Sequence, residues 1–301
     1  MNTKQLKYAM VLAETKSFSK AASQLNISQP SLSQYVKKIE TEVGVPLFER
    51  TGGYVKLTDA GKFYIQAGKK MLSIEKDLEN QLLDVKQEKV GTLTVGMSHF
   101  RTNDILKEIA QPFKRLYPNV NLVIDERTLS QVIEGAEHGE FDLAIIPHPV
   151  DLSIFNTHKV MDEELTLALP TAWVKDLCPT TESDRRYPVI DIKELDGKQF
   201  IVGESNQTVQ TALDRLLEEN GVTIKPQITV KRLEVQLELV KMGLGAALIP
   251  TGAKKQSDQK VTYLSLKQNL AKRDIYAVYR KDSYLPKIAK DFIALLQKTF
   301  L

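Results

Sequence analysis

The sequence predicts an α+β protein of several domains, and three observations indicate this fold class. The first 58 residues have the pattern of short helices followed by two short strands. One helical pattern then runs from Thr58 to Lys86, which is about 40 Å of helix at 1.5 Å per residue and more than a small domain can bury alone. From Gly91 onward, strand patterns alternate with helix patterns, as is typical of an α/β domain.

Length and composition limit the class of protein. The 301 residues allow two or three domains, and 42% hydrophobic with 26% charged residues is typical of globular proteins. No run approaches the roughly 20 apolar residues of a membrane span, and the first residues do not lead into a signal-peptide core. We therefore expect a cytoplasmic protein with no membrane partner. The single cysteine, Cys178, excludes an intramolecular disulfide and is expected to be an ordinary thiol.

The net charge of +3 is distributed unevenly. Residues 1–58 contain eight basic and four acidic side chains, whereas the rest of the chain contains 33 basic and 34 acidic side chains. All of the excess positive charge therefore lies in the amino-terminal module. This asymmetry favours a polyanionic partner for that module.

The amino-terminal module begins with two short helices. Apolar residues at helical spacing, from Leu6 to Ala13, predict the first helix. The second begins at Ser17 or Ser19, and Ala21 and Ala22 supply a packing face of small side chains. Small side chains let two helices cross closely, so this pair is typical of a helix-turn-helix unit.

A third helix is predicted over residues 28–40, with Ser28 as its N-cap and Pro30 in its first turn. Leu32, Val36 and Ile39, continuing to Val43, form one apolar stripe. The opposite face is rich in hydrogen-bonding groups, with positive charge toward its end: Gln29, Ser31, Ser33, Gln34, Lys37 and Lys38. Such groups can read base edges and hold phosphates in the major groove. The alternative is an ordinary solvated helix face.

Two short apolar segments, 45–50 and 55–57, surround a Gly-Gly pair and predict a β-hairpin. Its basic residues, Arg50 and Lys56, can lie against the sugar-phosphate backbone. The helix-turn-helix unit and this hairpin together predict a winged helix-turn-helix module that binds double-stranded DNA.

The long helix after Thr58 carries an apolar repeat with alternating steps of four and three residues. Its positions are Ala60, Tyr64, Ala67, Met71, Ile74, Leu78, Gln81 and Val85, with one polar interruption at Gln81 that Leu82 partly relieves. A period near 3.5 lets two copies of the helix wrap around each other, so the stripe predicts a dimer. The alternative is a long helix that lies on its own domain.

The remainder of the chain contains two similar halves. We predict strands at residues 92–97, 120–124, 141–146, 164–170, 200–203, 227–230, 246–250 and 275–279, and helices around residues 105–113, 208–219, 235–242 and 288–300. The repeated pattern indicates two lobes with a cleft between them. In such sheets, ligands bind outside the carboxyl ends of the strands.

Four segments of the amino-terminal module closely resemble the signature of LysR-type transcriptional regulators. They are Phe18-Ser-Lys-Ala-Ala-Ser-Gln-Leu, Ser28-Gln-Pro-Ser-Leu-Ser, Gly44-Val-Pro-Leu-Phe-Glu-Arg and Leu57-Thr-Asp-Ala-Gly. The resemblance implies a sequence-specific DNA-binding protein that responds to a small-molecule effector. It further implies a dimer through the linker helix, commonly paired into a tetramer, and a periplasmic-binding-protein-like effector domain.

This resemblance gives the expected domain organisation and the expected DNA contacts. Residues 1–58 are the DNA-binding domain, 59–88 the dimerising linker helix and 89–301 the effector domain. Lobe I covers about 91–163 and 270–301 and lobe II about 164–269, with crossings near Leu165 and Lys272. The expected DNA-binding residues are Ser17, Phe18, Ser28, Gln29, Pro30, Ser31, Ser33, Gln34, Lys37, Lys38, Arg50 and Lys56.

Polar side chains at helix starts mark the expected effector site. After the first strand come Ser98, His99 and Thr102, and after strand 200–203 come Ser205, Asn206 and Thr208. By their position in the family pattern, Arg127, Thr128, Pro147 and His148 are expected at the pocket edges. Helix N-termini and hydroxyls, with Arg101 or Arg127, favour an anionic effector such as a small carboxylate. The alternative for each polar residue is plain helix capping.

We expect no cofactor and no metal site. His99 and His148 lack the carboxylate or thiolate neighbours of a good metal site, and Gly243 and Gly245 lie in the wrong order for a phosphate-binding loop. A competing hypothesis is an α/β enzyme with an amino-terminal DNA- or partner-binding module, although no catalytic motif is found. A general architectural DNA binder would carry more basic charge and needs no cleft domain.

Overall fold

The computed structural model describes residues 3–51, 54–183, 185–205, 207–251, 259–268 and 273–301, apart from the side chains of Arg50 and Thr51. The amino-terminal module consists of α1 (Thr3–Thr15), α2 (Phe18–Gln24), α3 (Gln29–Val43), β1 (Phe48–Thr51) and β2 (Tyr54–Leu57). Its core contains Leu12, Ala21, Ala22, Leu32 and Val36, all buried. The predicted winged helix-turn-helix fold is therefore present, although β1 begins at Phe48, three residues later than predicted, and β2 begins one residue earlier than predicted, at Tyr54.

The linker helix α4 (Asp59–Val85) begins at Thr58, whose hydroxyl accepts a hydrogen bond from the Gly61 amide at 2.9 Å. Gly61 and Gly68 allow close approach at this end of the helix. A Cβ atom on Gly61 would lie 2.0 Å from the Leu47 carbonyl oxygen, and one on Gly68 would lie 2.7 Å from Leu6. The first turns of α4 are therefore packed tightly onto the amino-terminal module.

Lobe I contains β3 (Val90–Ser98), α5 (His99–Leu116), β4 (Asn119–Arg127), α6 (Leu129–Glu137), β5 (Leu143–Pro147), β12 (Arg273–Arg280) and α9 (Lys287–Phe300). Strands β3, β4 and β5 are parallel, and β12 is antiparallel to β5. Phe113 of α5 and Phe292 of α9 pack edge to face in the core at 5.4 Å between ring centroids. Helix α6 was absent from the sequence prediction.

Lobe II contains β7 (Val189–Ile190), β8 (Gln199–Val202), α7 (Thr208–Asn220), β9 (Lys225–Thr229), α8 (Leu233–Lys241), β10 (Ala247–Thr251) and β11 (Val261–Leu266), with 3-10 turns at Thr171–Asp176 and Ile192–Leu195. Strand β8 is parallel to β9 and bridges in parallel to the start of β10. The sequence prediction did not include β7 and β11. No helix in the described part of the chain is long and apolar enough to cross a membrane.

One strand, β6 (Phe155–Pro170), belongs to both lobes. Its first half pairs with β12 as far as Glu163, and its second half pairs with β10 and β11 from Glu164 onward. The sequence prediction of a strand starting at 164 was therefore too short. The crossing expected near Leu165 lies between Glu163 and Glu164, whereas the return crossing expected near Lys272 falls outside the described residues.

Candidate DNA-binding surface and effector cleft

Helix α3 presents the predicted polar face to solvent. Ser28 is its N-cap, with its Oγ accepting from the Ser31 amide at 3.3 Å, and Pro30 lies in the first turn. The predicted apolar stripe is buried at Leu32, Val36 and Ile39, which are at most 3% exposed, whereas Val43 is 44% exposed because it is the last residue of the helix. The side chains placed on the opposite face are exposed at Ser28, Gln29, Pro30, Gln34, Lys37 and Lys38 and half-buried at Ser31 and Ser33.

Glu40 holds this helix against the wing, a role that the sequence analysis missed. Its Oε1 accepts hydrogen bonds from the amides of Leu47 and Phe48, at 2.8 and 3.0 Å. Leu47 lies immediately before β1, and Phe48 is the first residue of β1. The half-buried carboxylate of Glu40 therefore fixes the position of the β1–β2 hairpin, the wing, relative to α3. The available signal was a single Glu two residues after the basic pair Lys37 and Lys38.

The other predicted DNA contacts are distributed around α3. Ser17 caps α2 through a 3.4 Å hydrogen bond from the Lys20 amide, and Phe18 is half-buried against the core of the module. Lys56 is exposed on β2, opposite Glu49 in the register. The Arg50 side chain lies outside the described part of the structure. Ser17 and Phe18 thus have structural roles in addition to any role at DNA.

The strand directions bring the two predicted effector loops to the same place. In lobe I, β5 runs antiparallel to β12, which starts at Arg273 opposite Glu163, so the carboxyl ends of parallel β3, β4 and β5 point toward the crossover. In lobe II, β10 ends at Thr251 opposite Glu164, and β8 is parallel to β10. The carboxyl end of β8 therefore points toward the crossover as well, so the loops that follow β3 and β8 lie on the two sides of it.

The first effector loop lies at the start of α5. The Ser98 hydroxyl accepts from Nη1 of Arg101 at 3.3 Å, and the hydroxyl of buried Thr102 donates to the Ser98 carbonyl at 3.3 Å. His99 is half-exposed, with its Nδ1 3.3 Å from Oε2 of Glu126. All three side chains therefore already have a partner within the protein, and Ser98 and His99 are partly exposed whereas Thr102 is buried.

Arg127 and Thr128 are committed to local contacts. The Arg127 guanidinium pairs with Asp125 at 2.7 Å and with Glu140 at 2.5 Å, and these partners raise the pKa of Arg127 above its ordinary value. The exposed Thr128 starts α6 and hydrogen bonds to Oε1 of Gln131, at 3.2 Å from its amide and 2.9 Å from its hydroxyl. The capping alternative thus accounts for the Thr128 contacts.

The remaining predicted effector residues lie at strand and helix ends. Pro147 is buried as the last residue of β5, and exposed His148 donates its amide to the Asp274 carbonyl at 2.9 Å. In lobe II, Ser205 and Thr208 are exposed at the start of α7. Asn206 lies outside the described residues. Gln207, which the sequence analysis did not select, caps this turn by accepting from the Glu204 amide at 3.3 Å.

A buried ionic triad lies at the crossover. Glu163 is 2% exposed, and both of its carboxylate oxygens accept from Nη2 of Arg101, at 2.9 and 3.0 Å, while Nη2 of Arg273 also donates to it. Burial lowers the pKa of the Arg273 guanidinium, and Glu163 opposes this effect. The Nε atoms of both arginines are buried and have no hydrogen-bond partner among the described residues. The sequence analysis considered Arg101 alone, although a glutamate within an apolar strand was a detectable signal.

Helix α4 has two distinct faces. One face carries exposed apolar side chains, including Met71, Ile74, Leu78, Leu82 and Val85. The other lies on its own effector domain, through Lys69 with Glu140 at 2.5 Å and Lys76 with Asp142 at 2.8 Å. The sequence analysis treated these arrangements as alternatives, and the monomer contains a surface for each. The exposed apolar stripe of α4 is also shorter than the predicted repeat, because Ala60 and Tyr64 at its start pack on the amino-terminal module.

The fold and these surfaces define a class of protein: a winged helix-turn-helix DNA-binding module joined by a long helix to a two-lobed ligand-binding domain. Comparison of the sequence with known protein families identifies the same class of protein. Residues 3–62 match the family described as "Bacterial regulatory helix-turn-helix protein, lysR family", and residues 86–301 match "LysR substrate binding domain". The chain belongs to the LysR family of transcriptional regulators. These are DNA-binding regulators and not enzymes, so the enzyme hypothesis is set aside.

Relatives match along nearly the whole chain. The transcriptional regulator YcgK of Bacillus subtilis is 27% identical over 100% of this chain and 96% of its own length, and AlsR of the same organism is 29% identical over 97% and 94%. Among solved structures, a full-length OxyR variant of Pseudomonas aeruginosa has a TM-score of 0.74 at 21% identity, covering 99% and 95% of the two chains. CbnR complexed with its target DNA has a TM-score of 0.69 at 18% identity, covering 99% and 100%. These structures establish the shared fold.

Proposed function

We propose that this regulator binds a specific double-stranded DNA site as an oligomer, and that a small anion bound between the lobes changes the arrangement of the oligomer on that site. Residues 1–58 bind DNA, 59–88 dimerise and 89–301 bind the effector. On α3, Gln29, Ser31, Ser33 and Gln34 face the bases. Lys37 and Lys38 contact phosphate, where positive charge adds affinity without sequence preference.

The exposed stripe on α4 supports the oligomer. Ile74 is 67% exposed, Leu78 56% and Val85 81%, so a run of large apolar side chains faces solvent in the isolated chain. A contiguous apolar surface of this kind is typical of an interface. Two copies paired through α4 present two recognition helices to successive turns of the duplex, and pairing of such dimers gives a tetramer.

The charge of the triad supports an anionic effector, and this is the observation that carries the proposal. Arg101 and Arg273 face a single carboxylate, Glu163, on one side of β6. The adjacent Glu164 is also buried, but successive side chains of a strand point to opposite faces of the sheet. The triad therefore has a net charge of +1, and the Nε–H groups of its two arginines have no hydrogen-bond partner among the described residues. A net positive charge favours a carboxylate or an inorganic anion over a neutral molecule.

Calorimetry on the full chain tests the effector class. The titrants are acetate, pyruvate and inorganic phosphate, with acetamide as the uncharged match to acetate. We expect binding of at least one anion and none of acetamide. Tight binding of neutral or cationic small molecules, with no anion bound, would contradict the proposal.

DNase footprinting tests the switching mechanism. The DNA is the intergenic region upstream of the gene, footprinted with and without a saturating amount of the anion that calorimetry identifies. An effector shifts an equilibrium only if it binds the two arrangements with different affinity, so the footprint should change in length or in its bend-related cleavage pattern. Identical footprints under both conditions would contradict the proposed switch.

A further inference from the structure

Tyr54 is a large aromatic side chain that lies outside the core of the amino-terminal module. It is the first residue of β2, at the tip of the wing, where it pairs with Thr51, and it is 69% exposed. Its ring and its hydroxyl contact no other side chain in the described part of the chain. Exposure of a single apolar residue is common. The position of Tyr54 within the module therefore decides what it can do.

The alternation of side chains along β2 directs Tyr54 outward. Val55 is 6% exposed and packs in the core of the module, whereas its neighbours Tyr54 and Lys56 are exposed. Alternate residues of a strand share one face, so Tyr54 and Lys56 lie together on the outer face of the wing. Lys56 is opposite Glu49 in the register, and these two charges cancel. The contact that this face offers nearest the tip is therefore the uncharged Tyr54 side chain.

A backbone hydrogen bond places the tip of the wing beside the helix-turn-helix unit. The amide of Val55, the residue after Tyr54, donates to the Lys16 carbonyl at 3.1 Å. Lys16 directly precedes Ser17, the N-cap of α2. From here to the second half of α3, residues 15–39 contain four lysines and no acidic residue. Tyr54 therefore lies next to the start of a uniformly basic segment, which attracts a polyanion such as DNA.

The wing is also fixed relative to α3 at its other end. The Glu40 carboxylate holds the amides of Leu47 and Phe48, at 2.8 and 3.0 Å, and from Phe48 the strand extends about 10 Å to Thr51. The major groove of DNA is about 12 Å wide. With α3 in that groove, a wing of this length reaches the sugar-phosphate backbone at its edge.

We propose that Tyr54 contacts the DNA backbone beside the groove that α3 occupies, with its hydroxyl donating to a phosphate oxygen and its ring packing on the adjacent deoxyribose. Tyrosine is one of the side chains that hydrogen bond to phosphates in protein–DNA complexes. Because the contact is uncharged, it adds affinity for any duplex without releasing a counterion. The inference rests on the proposed DNA-binding role of residues 1–58 and extends that role to a residue outside α3.

Fluorescence anisotropy on the full-length protein tests the proposal. The probes are a duplex from the intergenic region upstream of the gene and a random duplex of equal length, each titrated at several salt concentrations. Tyr54→Ala should bind both duplexes about tenfold more weakly, with the slope of log affinity against log salt concentration unchanged. Lys38→Ala, which removes a charge, gives the reference for a reduced slope. This difference in slope separates an uncharged backbone contact from a general loss of electrostatic attraction.

Two further variants complete the experiment. Tyr54→Phe keeps the ring and should bind both duplexes about fivefold more weakly, the typical effect of one lost hydrogen bond. It also keeps the test decisive if Tyr54→Ala fails to fold, as judged by thermal melting. Val45→Ala is the matched control and should bind as the wild type does, since Val45 is 44% exposed in the same module but precedes the opposite end of the wing.

The outcomes separate this inference from the proposed function. If the wild type binds DNA and folded Tyr54→Ala binds equally well, the inference is overturned and the DNA-binding role stands. The same holds if the loss is confined to one duplex, if the salt slope falls as it does for Lys38→Ala, or if Val45→Ala is weakened as much. If the wild type binds neither duplex, the proposed function fails, and the inference fails with it.

Discussion

At the scale of single residues, the DNA-binding module depends on side chains with two kinds of task. Glu40 positions the wing, whereas Gln29 and Lys38 are exposed to solvent on α3. Substitutions at these positions should therefore separate stability from DNA recognition.

Glu40→Ala should reduce the free energy of unfolding of the amino-terminal module by about 1–3 kcal/mol, because the amides of Leu47 and Phe48 lose a charged acceptor. Urea unfolding monitored by circular dichroism measures this change. Glu14→Ala is the control, since Glu14 is an exposed glutamate in the same module. Equal stability of the two variants would mean that the contact to the wing is unimportant.

Gln29→Ala should weaken binding to the cognate DNA site by about 1–3 kcal/mol and relax base preference at one position. Lys38→Ala should weaken binding to all sequences alike and reduce the slope of affinity against salt concentration. Fluorescence anisotropy with cognate and random duplexes at several salt concentrations distinguishes the two. If Gln29→Ala lowers affinity equally for both duplexes, its assignment to base reading is wrong.

At the scale of secondary-structure elements, α4 connects all other parts of the protein. Its start is packed on α1 at Gly68, its middle is paired to lobe I through Lys69 and Lys76, and its outer face is apolar and exposed. The helix can therefore transmit a change in the effector domain to the DNA-binding module, provided that its outer face is held by a partner.

Ile74→Lys should shift the protein toward the monomer, because each interface that buries Ile74 would lose about 1.5–3 kcal/mol of apolar burial per chain and gain a desolvated charge. Sedimentation velocity over a range of protein concentrations measures the shift. Gln66→Lys introduces the same side chain at an exposed position of α4 away from the stripe and should have little effect. An unchanged association constant for Ile74→Lys would exclude this stripe as the interface.

At the scale of the whole molecule, the attachment of the effector domain to the linker includes ion pairs and therefore depends on pH. Burial alone would raise the pKa of Glu140, but hydrogen bonds from Lys69 and Arg127 outweigh it and hold this pKa below its ordinary value of 4.5. A carboxyl group with a lowered pKa in the folded state stabilises that state at neutral pH. This stabilisation decreases as the pH falls below about 4.5, where the unfolded chain takes up the proton first.

Glu140→Gln should therefore be less stable than the wild type at pH 7, and the difference should shrink as the pH is lowered from about 5 toward about 3. Urea unfolding at a series of pH values measures both curves. Glu137→Gln is the control, because Glu137 is exposed on the neighbouring helix. A difference that stays constant over this pH range would show that Glu140 does not act through its charge.

The sequence by itself determined the order and type of most elements, because these follow from local patterns. Ser28 and Thr58 cap helices as expected, and Leu32, Val36 and Ile39 are buried as their spacing indicates, although Val43 at the end of the same stripe is exposed. Because β3 and β5 are parallel, their last residues, Ser98 and Pro147, lie at the same end of the sheet, as the alternation of strands and helices predicts. The family was also recognisable from motifs in the first 62 residues.

Tertiary structure alone decided which distant residues meet. Arg101 and Arg273 lie 62 and 110 positions from Glu163, and no local pattern reports such a pairing. Strand β6 serves both lobes because its hydrogen-bonding partners change between Glu163 and Glu164, and strand partners are chosen by the packing of the whole sheet. In the same way, the heptad pattern of α4 identified an apolar face, but only the position of the effector domain shows that the opposite face is already occupied.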